Sequence, residues 1–453
     1  MKTLIRCGKL FTGLADRAEP AQTIVVERGR VTWVGPTAGA APAAPDDTVL
    51  DHSKHFVMPG LIDCHTHVSY GEAMAQEDID LYASMEFRTL RAMIAAQKVM
   101  RAGYTSFLDP AGSGLVTAAV RDAIDVGLFK GPRITTAGRA LTGPQGLYDW
   151  YPRWMQTPAT STGIVINTMD EAIAEIRGQV KDGLDVVKFA MDGITAAKGR
   201  GLVAAFTQEE TTRIVSEVRR LGRRAACHAR GAEAALYSAR AGMDIIYHAS
   251  RLDDEAVEAV VEHGSYVCPS LALLVNNIEF AQPTDPSASW WPDIQKRELD
   301  AAVTSLEKLR KAGAKFLVGS EAGFAVTPYG EWNAKELQLH VDYIGVSPAR
   351  ALRDATVTSA EVLREADSLG GIAVGRFADV IAVDGDPLAD IAVLQKREAI
   401  ASVIKGGEPV TLDINDGARR HFSELTQNMW AHHYDRKTVA GMKVTPYRPN
   451  KSA

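Results

Sequence analysis

Short apolar segments of strand character alternate with amphipathic helical stretches through the middle of this 453-residue chain, and that alternation leaves few folds open. The strand candidates are 61–67, 105–110, 133–138, 186–192, 225–229, 245–249, 266–270 and 316–321. Helical spacing of apolar residues fills the intervals at 79–102, 115–127, 170–182, 208–222, 231–241, 253–263, 294–313 and 333–345. Each strand is followed by a helix that can carry the chain back, as parallel pairing requires. Eight such units close a (β/α)8 barrel, so the class is α/β and the expected architecture is a TIM barrel. In that fold the C-terminal strand ends share one face, and side chains placed there converge.

The termini read differently. Alternating segments at 2–7, Thr23–Glu27 and Arg30–Gly35 open the chain, with Glu27-Arg28-Gly29-Arg30 as a tight hairpin turn, and the Ala/Pro-rich stretch 37–46 is a surface loop. A similar pattern returns only at Gly375–Val383 and Ser402–Gly407. Neither part has enough apolar surface to stand alone, so the two are expected to pair into one small β-sandwich built from both termini. The expected boundaries are 1–58 and 371–412 for that domain, 59–370 for the barrel, and 413–453 for a C-terminal helix and tail. The basic, proline-containing segment 435–453 reads as an arm lying on its own surface or on a neighbouring subunit's.

Composition narrows the function. The chain is 46% hydrophobic and 23% charged, ordinary for a globular enzyme, and its formal net charge of −6 argues against nucleic acid or anionic membrane as a partner. No apolar run is long enough to span a bilayer, and Arg6 and Lys9 break the opening run, which makes it a poor signal peptide. Cys7, Cys64, Cys227 and Cys268 are scattered, with no C-x-x-C pair, as expected of reduced core thiols in a cytoplasmic protein.

Met58-Pro59-Gly60-Leu61-Ile62-Asp63-Cys64-His65-Thr66-His67 carries the chemistry. Side chains alternate faces along a strand, so His65 and His67 leave its C-terminal end on the same side, an arrangement suited to a divalent metal. Ligand-type residues recur at later strand ends: Lys188, His228, His248 and Glu321. Ionisable groups inside apolar runs are costly to bury unless paired or metal-bound. One such residue is unremarkable in a core; six at the ends of five strands define a site.

This pattern resembles the metal-dependent amidohydrolase superfamily, in the branch of imidazolonepropionase-like and prolidase-like enzymes with amide- and urea-cleaving relatives. The matching text includes Met58–His67, Gly131-Pro132-Arg133-Ile134, Tyr329–Leu337, Gly375–Asp379 and Asp384–Leu388. The resemblance implies a barrel with a small β-sandwich, and it implies roles. His65 and His67 would bind a buried ion and His228 and His248 a more exposed one, with Lys188, carbamylated by carbon dioxide, bridging the two. Two zinc ions are expected, with one ion as the alternative. Glu321 and His248 would serve catalysis, Glu321 as the proton carrier. Two departures stand out. Glu321 replaces the aspartate usual after strand eight, and Gly143-Pro144-Gln145-Gly146 stands where dipeptidase-type relatives show Gly-Gly-His-Gly.

The implied reaction is hydrolysis of a C–N amide or urea bond in a small aromatic or apolar substrate. Gln145, Tyr148, Trp150 and Trp154 in the aromatic loop after strand three, and Tyr329 and Trp332 past Glu321, are candidates for its contacts. Alternatives are an Xaa-Pro or N-acyl amino acid dipeptidase, an ester or carbamate hydrolase, a deaminase, and a barrel scaffold without catalysis. Deamination is disfavoured because Ala229-Arg230-Gly231-Ala232 follows His228 without the glutamate that reaction uses. A homo-oligomer is expected.

Overall fold

The structure is a computed structural model that describes residues 1–193, 202–281, 291–416 and 429–449. Four strands come first: β1 (Thr3–Phe11), β2 (Ala18–Glu27), β3 (Arg30–Pro36) and β4 (Thr48–Pro59). The predicted hairpin turn joins β2 to β3, with Arg28 at φ 51° and Gly29 at φ 79°, the left-handed pair that matches the twist of a two-residue turn. β4 was not expected. Its alternation is masked by His52, Ser53, Lys54 and His55, which sit in an outer half whose residues are mostly exposed before the buried run Phe56–Pro59.

β4 runs through Gly60 into the barrel. A Cβ at Gly60 would lie 2.0 Å from Thr105 Oγ1, so only glycine permits this approach. The barrel region then holds β5 (Leu61–Asp63), β6 (Tyr104–Asp109), β7 (Arg133–Thr136), β8 (Ala140–Thr142), β9 (Gly163–Val165), β10 (Val186–Ala190), β11 (Arg224–Gly231), β12 (Ile245–Arg251), β13 (Tyr266–Cys268) and β14 (Lys315–Phe316). β5, β6 and β7 pair in parallel, as do β10 to β14 in succession. A parallel bridge from Ala137 to Val186 joins the two groups on one side. On the other, Cys64 N donates to Val318 O at 2.8 Å and Thr66 bridges Ala322. These joins bring all the predicted strands into one ring. The third is split: after Thr136 the chain resumes as β8, which pairs with β10, and β9 lies outside it.

Alternation along the strands fills both sides of the wall. Ile62, Leu108, Val186, Ala226, Ile245, Tyr247 and Leu317 pack together in one cluster inside the ring, while Val187, Phe189, Ala225, Cys227 and Ile246 pack outward on the helices. Lys188 and His228 therefore follow inward-facing residues up their strands.

The helices fall close to expectation, with three corrections, one of them the unexpected helix Pro348–Arg353. The stretch 79–102 is two helices, Gln76–Asp80 and Met85–Arg101, because Ser84 restarts the helix by accepting from Phe87 N. Helix Leu271–Glu279 was missed, since its first turns are too uniformly apolar to show a face. In the tail the one described helix is Arg436–Ala440, and 417–428 lie outside the described residues.

β15 (Val380–Val383), β16 (Ile400–Lys405) and β17 (Glu408–Pro409) return to the first strands, in the order β17-β16-β15-β4-β1-β2-β3. The termini thus build one mixed sheet. Ile5, Ile24, Val31, Val57, Val380 and Ile404 form its own cluster, while Phe56, Ile381 and Val403 pack toward the barrel helices. Among the described residues no helix is long and apolar enough to cross a membrane. All four cysteines are buried and free.

Arg133 at the start of β7 fastens the sheet to the barrel. Its Nε donates to Asp379 Oδ2 at 2.7 Å and its Nη2 to Oδ1 at 3.3 Å, while its guanidinium lies 3.6 Å from the Phe377 ring centroid. Asp379 Oδ1 also accepts from Gly406 N at 2.8 Å. Asp379→Ala would remove the main partner of this part-buried guanidinium, leaving Glu365 at 3.9 Å. We expect it to cost about 1.5–3 kcal/mol, the usual worth of hydrogen bonds to a charged group, read as a fall in the thermal unfolding midpoint. Asp379→Asn, which retains an acceptor, should fall less.

Candidate metal centre

The C-terminal ends of the barrel strands bring His65, His67 and Glu321 together, with ligand atoms all within 4.8 Å of one another. The His65 ring centroid lies 4.8 Å from that of His67 and 5.5 Å from that of His248, and His248 lies 4.6 Å from His228. Lys188 Nζ sits 3.5 Å from the centroid of Tyr247, whose ring is 4.3 Å from His65. The six residues predicted from the strand ends thus form one buried patch at one end of the barrel.

Second partners orient the rings. His65 Nδ1 lies 2.6 Å from Ser270 Oγ, and His67 Nδ1 lies 3.1 Å from Ala111 O and 3.5 Å from Asp109 Oδ1, leaving Nε2 free on both. His228 is turned the other way: Nε2 lies 3.4 Å from both Gly193 O and Asp192 Oδ1, leaving Nδ1. Partners of this kind fix the tautomer of a ligating imidazole. Asp192 is itself held by the backbone N–H groups of Arg230 and Gly231.

Simple alternation would turn His248 outward, because Tyr247 before it faces the barrel interior. The backbone departs from extended geometry there: His248 has φ 74° and Ala249 φ 52°. Ser270 and Glu321, which also face the site, are left-handed at φ 57°. Non-glycine residues rarely adopt this region, and such strain gathers at functional sites.

Burial sets the protonation. It pushes His65, His228 and His248 well below the usual imidazole range, so each is a neutral ring with a lone pair to offer. It brings Lys188 down to about 7 and raises Glu321, whose largest opposing influence is the charge of Arg230. Glu321 Oε2 is buried and has no hydrogen-bond partner among the described residues. Neutral imidazoles around an unsatisfied carboxylate oxygen fit a divalent cation, and nitrogen and oxygen donors of this kind suit zinc.

Above this patch lies a cavity of about 340 Å³. Tyr148 and Trp150 line it as predicted, together with Tyr70, Phe324, Trp291 and Trp430. The Tyr70 ring stacks on His67 at 4.3 Å. The other expected contacts lie elsewhere. Gln145 is exposed at a left-handed turn, its N–H donating to Asp149, and Trp154 is 86% exposed. Tyr329 lies beneath the site, where its hydroxyl donates to His67 O and accepts from Gly71 N. Trp332 packs against Phe280 and donates to Tyr434 O at 2.6 Å. Both brace the mouth from outside the cavity.

Sequence reading missed a cation in the wall. Arg230, two residues after His228 on the same strand, lines the cavity and is 7% exposed. Its Nη1 donates to Glu298 Oε1 at 3.0 Å, while Glu298 Oε2 accepts from Arg251. Glu298 is shared by two guanidiniums, Asp192 and Glu321 also feel the charge of Arg230, and Arg230 Nε is buried without a hydrogen-bond partner among the described residues. Its spacing from His228 was the available signal. Trp291, Trp430 and Asn277 had none, because they meet only through the tertiary fold.

Comparison with known proteins agrees with this geometry. A family model described as the amidohydrolase family matches residues 56–410. The chain is 27% identical to ochratoxinase of Aspergillus niger over 428 residues, covering 90% of this chain and 86% of that protein. The crystal structure of a Xaa-Pro dipeptidase with methionine bound in its active site superposes with a TM-score of 0.79 at 29% identity, covering 90% of this chain and all of the other. Phenylurea hydrolase B shares the fold, with a TM-score of 0.74 at 22% identity and coverage of 90% and 97%.

The site predicts its own metal dependence. Elemental analysis of purified protein is expected to find divalent metal that His65→Ala or His67→Ala loses. Asparagine at His52, His55, His263, His340, His421, His432 or His433 should leave the content unchanged. Metal-free wild type, or loss of a full equivalent in any of the second set, would show the site is misplaced.

Proposed function

The chain belongs to the amidohydrolase family, and from that premise we propose that it hydrolyses a C–N bond, amide or urea, in a small substrate bearing an aromatic or apolar group. The observation that carries this reading is the convergence of His65, His67 and Glu321 beneath a cavity lined by Tyr70, Tyr148, Trp150 and Phe324. In this reading His65, His67, Lys188 and Glu321 would hold one divalent ion, and His228 and His248 a second that shares Lys188. Zinc is the metal these donors suit best. Such ions supply a Lewis acid that polarises the carbonyl and lowers the pKa of water enough for attack near neutral pH.

Lys188 becomes a ligand by reacting with carbon dioxide. Its neutral amine attacks the carbon, the N–C bond forms as one C=O π bond opens onto oxygen, and the nitrogen's extra proton passes to water, giving a carbamate whose single negative charge is shared by two oxygens. An amine brought down to about 7 by burial is competent for this at neutral pH, whereas an ordinary lysine is not. Glu321 takes the proton from the attacking water and delivers it to the leaving nitrogen. That delivery is essential because an amide anion is a very poor leaving group. Its raised pKa, caused by burial, brings it nearer the operating pH. Tyr148, whose phenol burial keeps protonated, supplies a neutral donor on the cavity wall. In the same reading the terminal sheet is the small β-sandwich that accompanies the barrel.

A second reading rests on Arg230. A guanidinium on the cavity wall with one buried N–H unsatisfied favours a substrate with a carboxylate near the scissile bond, as in an N-acyl amino acid or an Xaa-Pro dipeptide. Kinetics separate the two. Metal-loaded protein should be assayed on arylamides, phenylureas, N-acyl amino acids and dipeptides; no hydrolysis across the set would refute the proposed activity. Under the carboxylate reading, Arg230→Met raises KM for N-acyl amino acids about 10–100-fold, the worth of a hydrogen bond to a charged group. KM for neutral arylamides should hardly move.

Glu321 gives the sharpest test of mechanism. Glu321→Gln should keep the fold and most of the metal while lowering kcat about 10²–10⁴-fold, the usual contribution of a positioned acid–base group. Glu321→Asp restores the shorter acid of the family pattern. If the site is built around the longer side chain, this variant is also slow, and activity equal to wild type would make the substitution incidental.

A further inference from the structure

The carboxy-terminal segment reaches back to the mouth of the barrel and becomes part of the cavity wall. Met429 and Trp430 both line the cavity. Met429 N donates to Met74 O at 2.7 Å and Tyr434 N to Ala325 O at 2.9 Å, so the segment is stitched to the loops after the first and last barrel strands. Tyr434 is fully buried and Trp430 is 3% exposed, in one cluster with Phe280, Val326 and Trp332. Arg436 then caps Trp332, its guanidinium 4.6 Å from the ring.

Trp430 is held by a specific device. Its indole N–H donates to Asn277 Oδ1 at 2.7 Å, and the indole of Trp291 donates to the same oxygen at 3.3 Å. Asn277 is 1% exposed and its amide N–H donates to Leu273 O, which leaves Oδ1 to the two indoles. Three segments distant in sequence thus meet at one atom, and both rings line the cavity. Indoles whose polar edges are already satisfied, here Trp430 buried and Trp291 partly exposed, offer the rest of their surface to a ligand.

We infer that Trp291 and Trp430, pinned by Asn277, form the subsite that selects a planar aromatic group on the substrate, and that the segment Met429–Tyr434 is therefore a specificity element. This rests on the hydrolase reading only for the name of the ligand, an aryl amide. Asn277 acts through the indoles and is a positioning residue.

The test measures binding apart from turnover, on metal-loaded full-length protein carrying Glu321→Gln to suppress cleavage, with cleavage by the unsubstituted protein followed separately. Naphthalene-2-carboxamide and hexanamide are titrated by calorimetry against this protein with the wild-type subsite and with Trp430→Leu, Trp430→Phe, Trp291→Leu or Asn277→Leu. Both tryptophan-to-leucine variants should weaken naphthalene-2-carboxamide about tenfold or more while leaving hexanamide within about twofold, and Trp430→Phe should recover part of the loss. Asn277→Leu, which keeps the bulk but frees both indoles, should raise KM for aryl amides without changing metal content. Equal weakening of both amides, or no weakening in either leucine variant, overturns the subsite, as does wild type that binds neither amide. Should Trp430→Leu not fold, Trp291→Leu carries the same comparison from a partly exposed position. Wild type that binds the aryl amide but cleaves none of the arylamides, phenylureas, N-acyl amino acids and dipeptides would refute the hydrolase reading and leave the subsite standing. Wild type that cleaves aryl and alkyl amides with equal kcat/KM would do the reverse.

Discussion

The Asp63 carboxylate holds the seam of the barrel, and the placement of the candidate metal ligands depends on it. It sits fully buried at the end of β5 and accepts from His65 N at 2.9 Å, Ser320 N at 3.1 Å, Ser320 Oγ at 2.6 Å and Asn333 Nδ2 at 2.7 Å. Burial raises its pKa, and these donors oppose that shift. The bonds join the first strand of the barrel to the last, where a closed sheet must bring residues from opposite ends of the domain into register. His65 follows Asp63 by two residues and Glu321 follows Ser320 by one, so both hang from the same carboxylate. A buried polar network fully satisfied in this way is rigid, and the distance between an imidazole and a carboxylate ligand inherits that rigidity.

Strain is concentrated where rigidity is greatest. His248, Ala249, Ser270 and Glu321 all have left-handed backbones around one end of the barrel. Each such residue costs about 1–3 kcal/mol and persists only where its surroundings over-determine it. The surroundings here are the filled barrel interior below, from Ile62 to Leu317, and the bonds of Asp63 and Ser270 beside the ligands. At His248 the strain has a visible use, since without it a ring following the inward-facing Tyr247 would point away from His228.

This division explains what the sequence disclosed. Strands that alternate with period two place Lys188 and His228 on the inner face by arithmetic, and His65 and His67 share a side for the same reason. The six candidate ligands were legible because strand ends in a parallel barrel share a face, whatever the loops do. Contacts read from nearness in sequence fared worse. Tyr329 and Trp332 follow Glu321 closely, yet the chain turns them beneath and behind the mouth, where they bind His67 O and Tyr434 O. Trp154 shares a loop with Trp150 but points to solvent. β4 escaped notice because its outer half faces water, and helix Leu271–Glu279 because it is apolar on too many sides.

The same division separates what this site does from what it acts upon. The donors that bear on the reaction stand at strand ends and are fixed by the sheet. The cavity wall is assembled from pieces with no common periodicity: Tyr70 after β5, Tyr148 and Trp150 from the loop between β8 and β9, Trp291 at a helix start, Phe324 past the last strand, and Trp430 from the tail. Loops on a rigid barrel can change without disturbing the strands. A chain can therefore keep its metal ligands while its choice of substrate drifts. Arg230 belongs to both parts, since it stands on the strand that carries His228 yet faces the cavity. Its charge is the strongest opposing influence on the raised pKa of Glu321. An anionic group bound beside Arg230 would offset that influence and raise the Glu321 carboxyl further, so under the proposed roles recognition of a charged substrate and transfer of the proton would be electrostatically coupled.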